Sequence, residues 1–249
     1  FKAIQFKFPK DFEGVLRENS SVIASAIRLN HTPSIKISNF WQHLVTNVVE
    51  IGWIGDIQQE KGFYGALSFF SDNIEFKKKA EKILCAFDIG LHSLDLKKIK
   101  TKDGSFSLEA NAIHMINGKK HSLDLIYESS GTKQLISILK SILLVLTFGG
   151  VAAIDEMDVN LHPEIVLSIV DLFTQPETNP HNAQLLFSTH SHIVLTRLNK
   201  YQILIVEKNK NAESEAHRLD EIDSGIVRSD NNYYLKYMSG AYGGYPNIH

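Results

Sequence analysis

Between Thr132 and Glu156 the chain changes its period within two residues, and this change constrains the architecture more than any other stretch. Leu135, Ile138, Leu139, Ile142, Leu143 and Leu146 recur at i, i+3, i+4 and i+7, the spacing that stacks apolar side chains along one helix face. Gly149-Gly150 stops that helix, and VAAIDE then reads as a short buried strand ending in two carboxylates, Asp155 and Glu156. A second helix starts around Leu161-His162-Pro163, where proline suits a first turn, and AQLLFSTHS and YQILIVEK follow as further strands. Helix alternating with apolar strand predicts an α/β layer over residues 130–208 with buried parallel strands.

The first part of the chain has a different texture. Residues 11 to about 100 read as mostly helical, with amphipathic candidates DFEGVLRENSSVIASAIRL, SNFWQHLVTNVVEIGWI and NIEFKKKAEKILCAFDIGL, and with Trp41 and Trp53 in the core. SFSLEANAIHMI and HSLDLIYE then read as a hairpin around Asn117-Gly118, a strong short-range turn signal flanked by His114 and His121. The expected division is therefore a helical region, residues 1–102, and an α/β region, residues 103–249.

Composition excludes some partners. A net charge of -2 and a pI near 6.6 leave no global basic field for nucleic acid, and the lysines at 77, 78, 79, 82, 97, 98, 100 and 102 read first as solvated faces. Nucleic acid stays a candidate partner only through such local patches. Cys85 is the single cysteine, no signal peptide is visible, and the apolar run LISILKSILLVLTF is interrupted by Lys140 and too short to span a bilayer. The expectation is a cytoplasmic chain without a membrane partner.

Ligands of open α/β sheets bind outside the carboxyl ends of the strands. Two strands end there in reactive groups, Asp155-Glu156 and Ser188-Thr189-His190, which converge if the strands are neighbours. For nucleotide hydrolysis such a set has a physical logic: one carboxylate holds Mg²⁺, the second orients or deprotonates water, and the imidazole contacts the γ-phosphate. An Asp-Glu pair alone equally ends a strand at a solvated loop. The turn in YESSGTKQL adds backbone N–H groups and hydroxyls beside a positive helix end, which suits an anion and also suits an ordinary capped helix. Two rival readings remain. Asp155, Glu156, His190 and His192 could hold a metal in a phosphoesterase or nuclease, which leaves ESSGT unexplained, or the chain could be a non-catalytic interaction module.

In this order, ESSGT, VAAIDE, DVNLHP and FSTHS resemble the signature, Walker B segment, D-loop and switch-histidine strand of the C-terminal half of an ABC-type ATPase head. The family resembled is that of RecF/SMC-like AAA-family ATPases of bacterial abortive-infection and anti-phage systems, a likeness that extends to SGAYGGYPNI near the end. It implies a P-loop NTPase-like parallel sheet with helices plus a mainly helical insertion. It also implies ATP and Mg²⁺ as cofactors, Asp155 serving Mg²⁺, Glu156 as catalytic base and His190 as γ-phosphate sensor. Ser129, Ser130, Gly131 and Thr132 would act on ATP held by another subunit, in a homodimer or higher oligomer that gates an effector protein, often a nuclease. Two positions depart from the commoner pattern, Ser130 in place of a glycine and His162 in place of an aspartate. No Gly-x-x-x-x-Gly-Lys-Ser/Thr occurs in the 249 residues, and in the family resembled that loop lies upstream of everything here. The expectation is a chain whose first part is not represented and which alone binds ATP poorly.

Overall fold

The computed structural model describes residues 7–8, 10, 12–48, 56–87, 90–102, 104–222 and 232–245. In chain order its helices are α1 (Val22–Ile27), α2 (Thr32–Gln42), α3 (Asp56–Asp72), α4 (Ile74–Ala86), α5 (Ser130–Phe148), α6 (Pro163–Thr174) and α7 (Tyr233–Met238). The strands are β1 (Leu44–Thr46), β2 (Leu91–Lys100), β3 (Phe106–Ile116), β4 (Lys119–Asp124), β5 (Val151–Ile154), β6 (Gln184–Phe187), β7 (Leu204–Lys208) and β8 (Ser214–Arg218). They form a parallel sheet in the order β1-β5-β6, an antiparallel sheet β2-β3-β4, and a two-stranded ribbon β7-β8.

The period switch does what its chemistry requires. α5 buries its predicted apolar stripe and also Ile136 and Val145, so it is wrapped by the fold on several sides. By length and composition α5 could cross a membrane, yet it is the central core helix here. α3 and α4 pack on it, and the core continues through Leu91 and Leu94 of β2, Ala152 and Ile154 of β5, and Val166 and Ile169 of α6. Gly150 is needed where the chain enters β5: its φ is +113°, and a Cβ there would collide with the His43 carbonyl. That carbonyl accepts the Val151 N–H, the first bond between the β1 and β5 segments.

Four expectations are corrected. The stretch SNFWQHLVTNVVEIGWI does not form one helix, because α2 ends at Gln42 and Leu44–Thr46 becomes β1, pairing in register with Val151–Ala153. The β-branched Val45 and Thr46 suit a pleated surface, and the empty edge of β5 takes them up. Trp41 is 60% exposed rather than in the core, and Trp53 lies outside the described residues. Next, the last helix before the hairpin ends at Ala86 rather than near residue 103, and β2 pairs with β3 from Leu91↔His114 to Lys100↔Phe106. Along β2, Leu91 and Leu94 turn to the core while Lys97 and Lys98 face solvent and pair with Asp95 and Asp72. Finally, YQILIVEK is no member of the parallel layer. β7 pairs antiparallel with β8 over a small separate cluster of Leu195, Ile203, Ile205, Leu219, Tyr233 and Tyr242.

The hairpin is as read. Asn117 and Gly118 both have positive φ, as a two-residue primed turn demands, and they join Ile116 to its partner Lys119.

Candidate functional site

β5 and β6 are parallel neighbours, and the register Ile154↔Phe187 sets Asp155 beside Ser188 at one carboxyl edge. Ser188 binds the two carboxylate residues together. Its hydroxyl donates to Asp155 Oδ1 at 2.5 Å and accepts the Glu156 N–H at 2.8 Å, while its carbonyl accepts the Met157 N–H at 3.0 Å. From the other side, the Asn47 side chain accepts the Asp155 N–H at 2.7 Å and donates to the Asp155 carbonyl at 3.0 Å. Asn47 thereby continues the β1-β5 ladder with a side-chain amide after the strand has ended.

Glu156 has φ +49°, a left-handed conformation uncommon outside glycine and asparagine. The turn is held by the Ser188 bonds on either side of it. One turn further, Asp158 Oδ1 accepts the His190 N–H at 3.1 Å, which joins the loop after β5 to the segment after β6. Asp155 and Glu156 are half-buried and His190 is exposed. Among the described residues no Lys, Arg or His pairs with either carboxylate. Two adjacent half-buried carboxylates without a protein cation suit an external one. Mg²⁺ fits this donor set, because it is commonly held by one or two carboxylates together with waters and phosphate oxygens.

The signature-like turn is built differently. Ser129 caps α5, its Oγ accepting the Thr132 N–H at 3.0 Å and lying 2.8 Å from the Thr132 hydroxyl. Thr132 is buried, whereas Ser130 is exposed. Gly131 is pressed against the loop after β5: a Cβ there would lie 2.5 Å from the Asn160 carbonyl oxygen. The turn and the DVNLHP segment are therefore packed together within one chain. His162, which stands in place of an aspartate, caps α6 by accepting the Glu164 N–H on Nδ1.

The residue before the turn, Glu128, is also fixed. His114 contacts Glu128 Oε1 through Nε2 at 2.6 Å and the Gly90 carbonyl through Nδ1 at 2.8 Å. Burial pulls the His114 pKa down, but the hydrogen bond to Glu128, the one to Gly90 and the Glu128 charge outweigh it, so the pKa is raised above 6.5. With both ring nitrogens facing acceptors, the charged imidazole is the form this geometry favours.

The structure thus brings together Asp155, Glu156 and the backbone of His190, and links Ser129–Thr132 to them through the 158–160 loop. It does not assemble the four-residue metal site. His192 packs against Tyr237 and Tyr245, and among the described residues no group of three or more His, Cys, Asp or Glu is placed to hold a metal ion. Sequence reasoning missed Asn47 and Asp158, and named Ser188 at its strand end without giving it a role. Ser188 had a signal, lying directly after an apolar strand in FSTHS, but a three-residue strand ahead of Asn47 is too short to read.

A sequence-family profile described as "AAA domain, putative AbiEii toxin, Type IV TA system" matches residues 7–196. No curated protein matches the chain. Among solved structures, the chain is similar to one from work on the structural biochemistry of ATP-driven dimerization and DNA stimulated activation of SMC ATPases. Identity there is 16% and the TM-score 0.46, covering 70% of this chain and 96% of that one. It is also similar to an SmcHead bound to the C-winged helix domain of ScpA, with 18% identity, TM-score 0.41, and coverage of 59% and 44%. A third is an Smc head domain with an extended coiled coil, bound to the C-terminal domain of ScpA derived from Pyrococcus furiosus, with 14% identity, TM-score 0.38, and coverage of 62% and 38%. The chain spans less than half the length of the latter two.

Proposed function

Since the chain belongs to the AAA-domain family of that description, we propose that it is the carboxylate-bearing part of an ATP-hydrolysing head in a cytoplasmic bacterial defence system. In this reading Asp155 holds Mg²⁺, Glu156 is the general base toward water, and His190 meets the γ-phosphate. Bound Mg²⁺ supplies charge neutralisation between phosphate oxygens. The chain's own residues orient the reaction: Ser188 holds the Asp155 carboxylate, and the left-handed turn at 156 carries the second carboxylate on from the first. The observation that carries the proposal is Ser188, which fixes both acidic residues at one strand edge, where among the described residues no Lys, Arg or His pairs with them.

Ser129–Thr132, with Ser130 at the surface, serve ATP held by a second head, so that ATP closes two heads and hydrolysis releases them to gate an effector, a nuclease being the kind expected. The phosphate-binding loop is not among these 249 residues and must come from another segment.

The test is Mg²⁺-ATP turnover. The chain alone should show none, since phosphate positioning supplies much of phosphoryl-transfer catalysis. Once the loop is supplied, Glu156→Gln should lower turnover by about 10²- to 10⁴-fold with nucleotide binding intact, and Asp155→Ala should weaken Mg²⁺-ATP binding itself. Ser130→Glu, which avoids the steric contact at Gly131, should block head closure, and mixing it with Glu156→Gln protein should restore part of the rate. Robust turnover by the isolated chain, or equal loss of binding in both carboxylate variants, defeats the assignment.

A further inference from the structure

We propose that the glycine-rich loop of residues 239–245 is a latch on the segment after β6: it grips His192 and so sets where His190, two residues earlier, stands at the carboxylate edge. The grip does not depend on the ATPase reading; its effect on turnover rests on it.

The loop is made by its glycines and by β7. Gly240, Gly243 and Gly244 have φ of +75°, +74° and +67°. A Cβ at Gly243 would lie 2.8 Å from Glu207 Oε2, and one at Gly244 would lie 2.6 Å from Ile205 Cγ2, so the chain comes this close to β7 only without side chains. Glu207 Oε2 accepts the Gly244 N–H at 2.8 Å. Among the described residues no Lys, Arg or His pairs with Glu207, so a half-buried carboxylate is committed to holding the loop. β8 adds a second hold, His217 Nε2 donating to the Tyr242 carbonyl at 2.9 Å.

The grip passes from the loop to His192 through rings. Tyr237 on α7 donates its hydroxyl to the Gly244 carbonyl at 2.8 Å. Burial, then the neighbouring Tyr245 and Glu207, raise the Tyr237 pKa above its ordinary value, which keeps that hydroxyl protonated and donating. His192, Tyr237 and Tyr245 form a triangle of rings, with centroids 5.0 Å apart for His192 and Tyr237, 5.9 Å for the two tyrosines and 6.3 Å for His192 and Tyr245. Two of its corners belong to the latch. Leu195, three residues beyond His192, is buried in one cluster with Tyr233 and Tyr242.

Residues 188–191 form neither helix nor strand, so His190 stands where its attachments put it. On the carboxylate side its amide donates to Asp158 Oδ1 at 3.1 Å. On the other side the chain runs through Ser191 straight into His192 and the ring triangle. Ser188, Thr189, His190, His192, Tyr237 and Gly244 all line one groove of about 630 Å³ between β6 and β7, so latch and histidine face a common space. His192 is thus a positioning residue for His190, and Glu207 acts on both through the loop.

The test begins with the 249-residue chain and no nucleotide. Glu207→Ala should speed amide exchange at His190 and Ser191 by about 3- to 10-fold, the change in local opening that follows the loss of one hydrogen bond or ring pair, while Leu139 inside α5 exchanges as before. Tyr245→Ala, at a ring that is 41% exposed and therefore safe for the fold, should speed the same two amides by at least about threefold. His192→Ala should match Glu207→Ala, and His192→Phe, which keeps a ring in the triangle, should restore slow exchange. In protein supplied with the phosphate-binding loop, Glu207→Ala and His192→Ala should lower kcat by about tenfold with KM for ATP within about twofold, and His192→Phe should recover most of the rate. Unchanged exchange at His190 in Glu207→Ala and Tyr245→Ala overturns the proposal, as does an acceleration that Leu139 shares or a failure of His192→Phe to rescue. Exchange that responds as stated in a protein that never hydrolyses ATP keeps the latch and refutes the ATPase reading. Turnover whose kcat is unaltered in Glu207→Ala and His192→Ala keeps the ATPase reading and refutes the latch.

Discussion

The carboxylate edge and the signature-like turn lie at opposite ends of one loop contact, yet they are held in opposite ways. Asp155 and Glu156 are positioned by partners far away in sequence, Asn47 and Ser188, so their geometry exists only when three strands are side by side. Ser129 to Thr132 hold themselves through bonds spanning three residues, and touch the rest of the site through Gly131 and Asn160. Local wiring leaves Ser130 facing outward, which suits a contact with something beyond the chain. Distant wiring makes the carboxylates depend on the integrity of the sheet.

The strongest attack on this contrast is Ser188→Ala. If the hydroxyl positions both carboxylates, turnover in a loop-supplied protein should fall about 10- to 100-fold, the range for partners behind a metal ligand, with ATP affinity little changed and Ser188→Thr restoring most of the rate. A Ser188→Ala protein with unaltered turnover would show that the sheet alone sets the geometry. At the turn, Ser129→Ala should behave as the loss of a helix cap, lowering stability by about 1 kcal/mol in urea unfolding, with Ser129→Asp retaining most of it. A loss many times larger would mean that the turn is wired as deeply as the carboxylates.

The smallest effect is at the hinge between the antiparallel sheet and the turn. The His114 pKa is raised in the fold, so its stabilisation is fully present below about pH 6.5 and disappears as pH rises through the folded value. His114→Gln should therefore flatten the pH dependence of the unfolding midpoint above that point by about 0.5 kcal/mol, the scale of a partly exposed ion pair. An unchanged slope would exclude the charged pair with Glu128.

What was legible in the sequence follows from the same distinction. The stripe from Leu135 to Leu146, the stop at Gly149-Gly150, the Asn117-Gly118 hairpin and the β5/β6 neighbourhood are each specified by local spacing or by a single register, and each is found. β1 was hidden because Leu-Val-Thr follows a helix without any breaker and becomes a strand only by pairing with β5. β2 was hidden because its lysine-rich outer half resembles a solvated helix face. Asn47 follows from β1 and was invisible with it. YQILIVEK looks like a buried parallel strand by composition alone, and only the ribbon with Ser214–Arg218 shows that its apolar residues border a groove. The Asp-Glu pair was evident at once, but the serine that gives it one geometry lies across the sheet.

The left-handed backbone at Glu156 has an evolutionary consequence. Glycine or asparagine adopts φ near +49° more readily than glutamate does, so drift acting on folding alone runs away from an acid at this position. Only a demand on the carboxylate opposes it. In a lineage released from ATP turnover, position 156 should be among the first in the site to change, and toward a smaller residue, while Ser188 and Asn47 persist for as long as the sheet is needed. A collection of related chains could therefore be sorted into working and retired heads by this one residue, before any of them is purified.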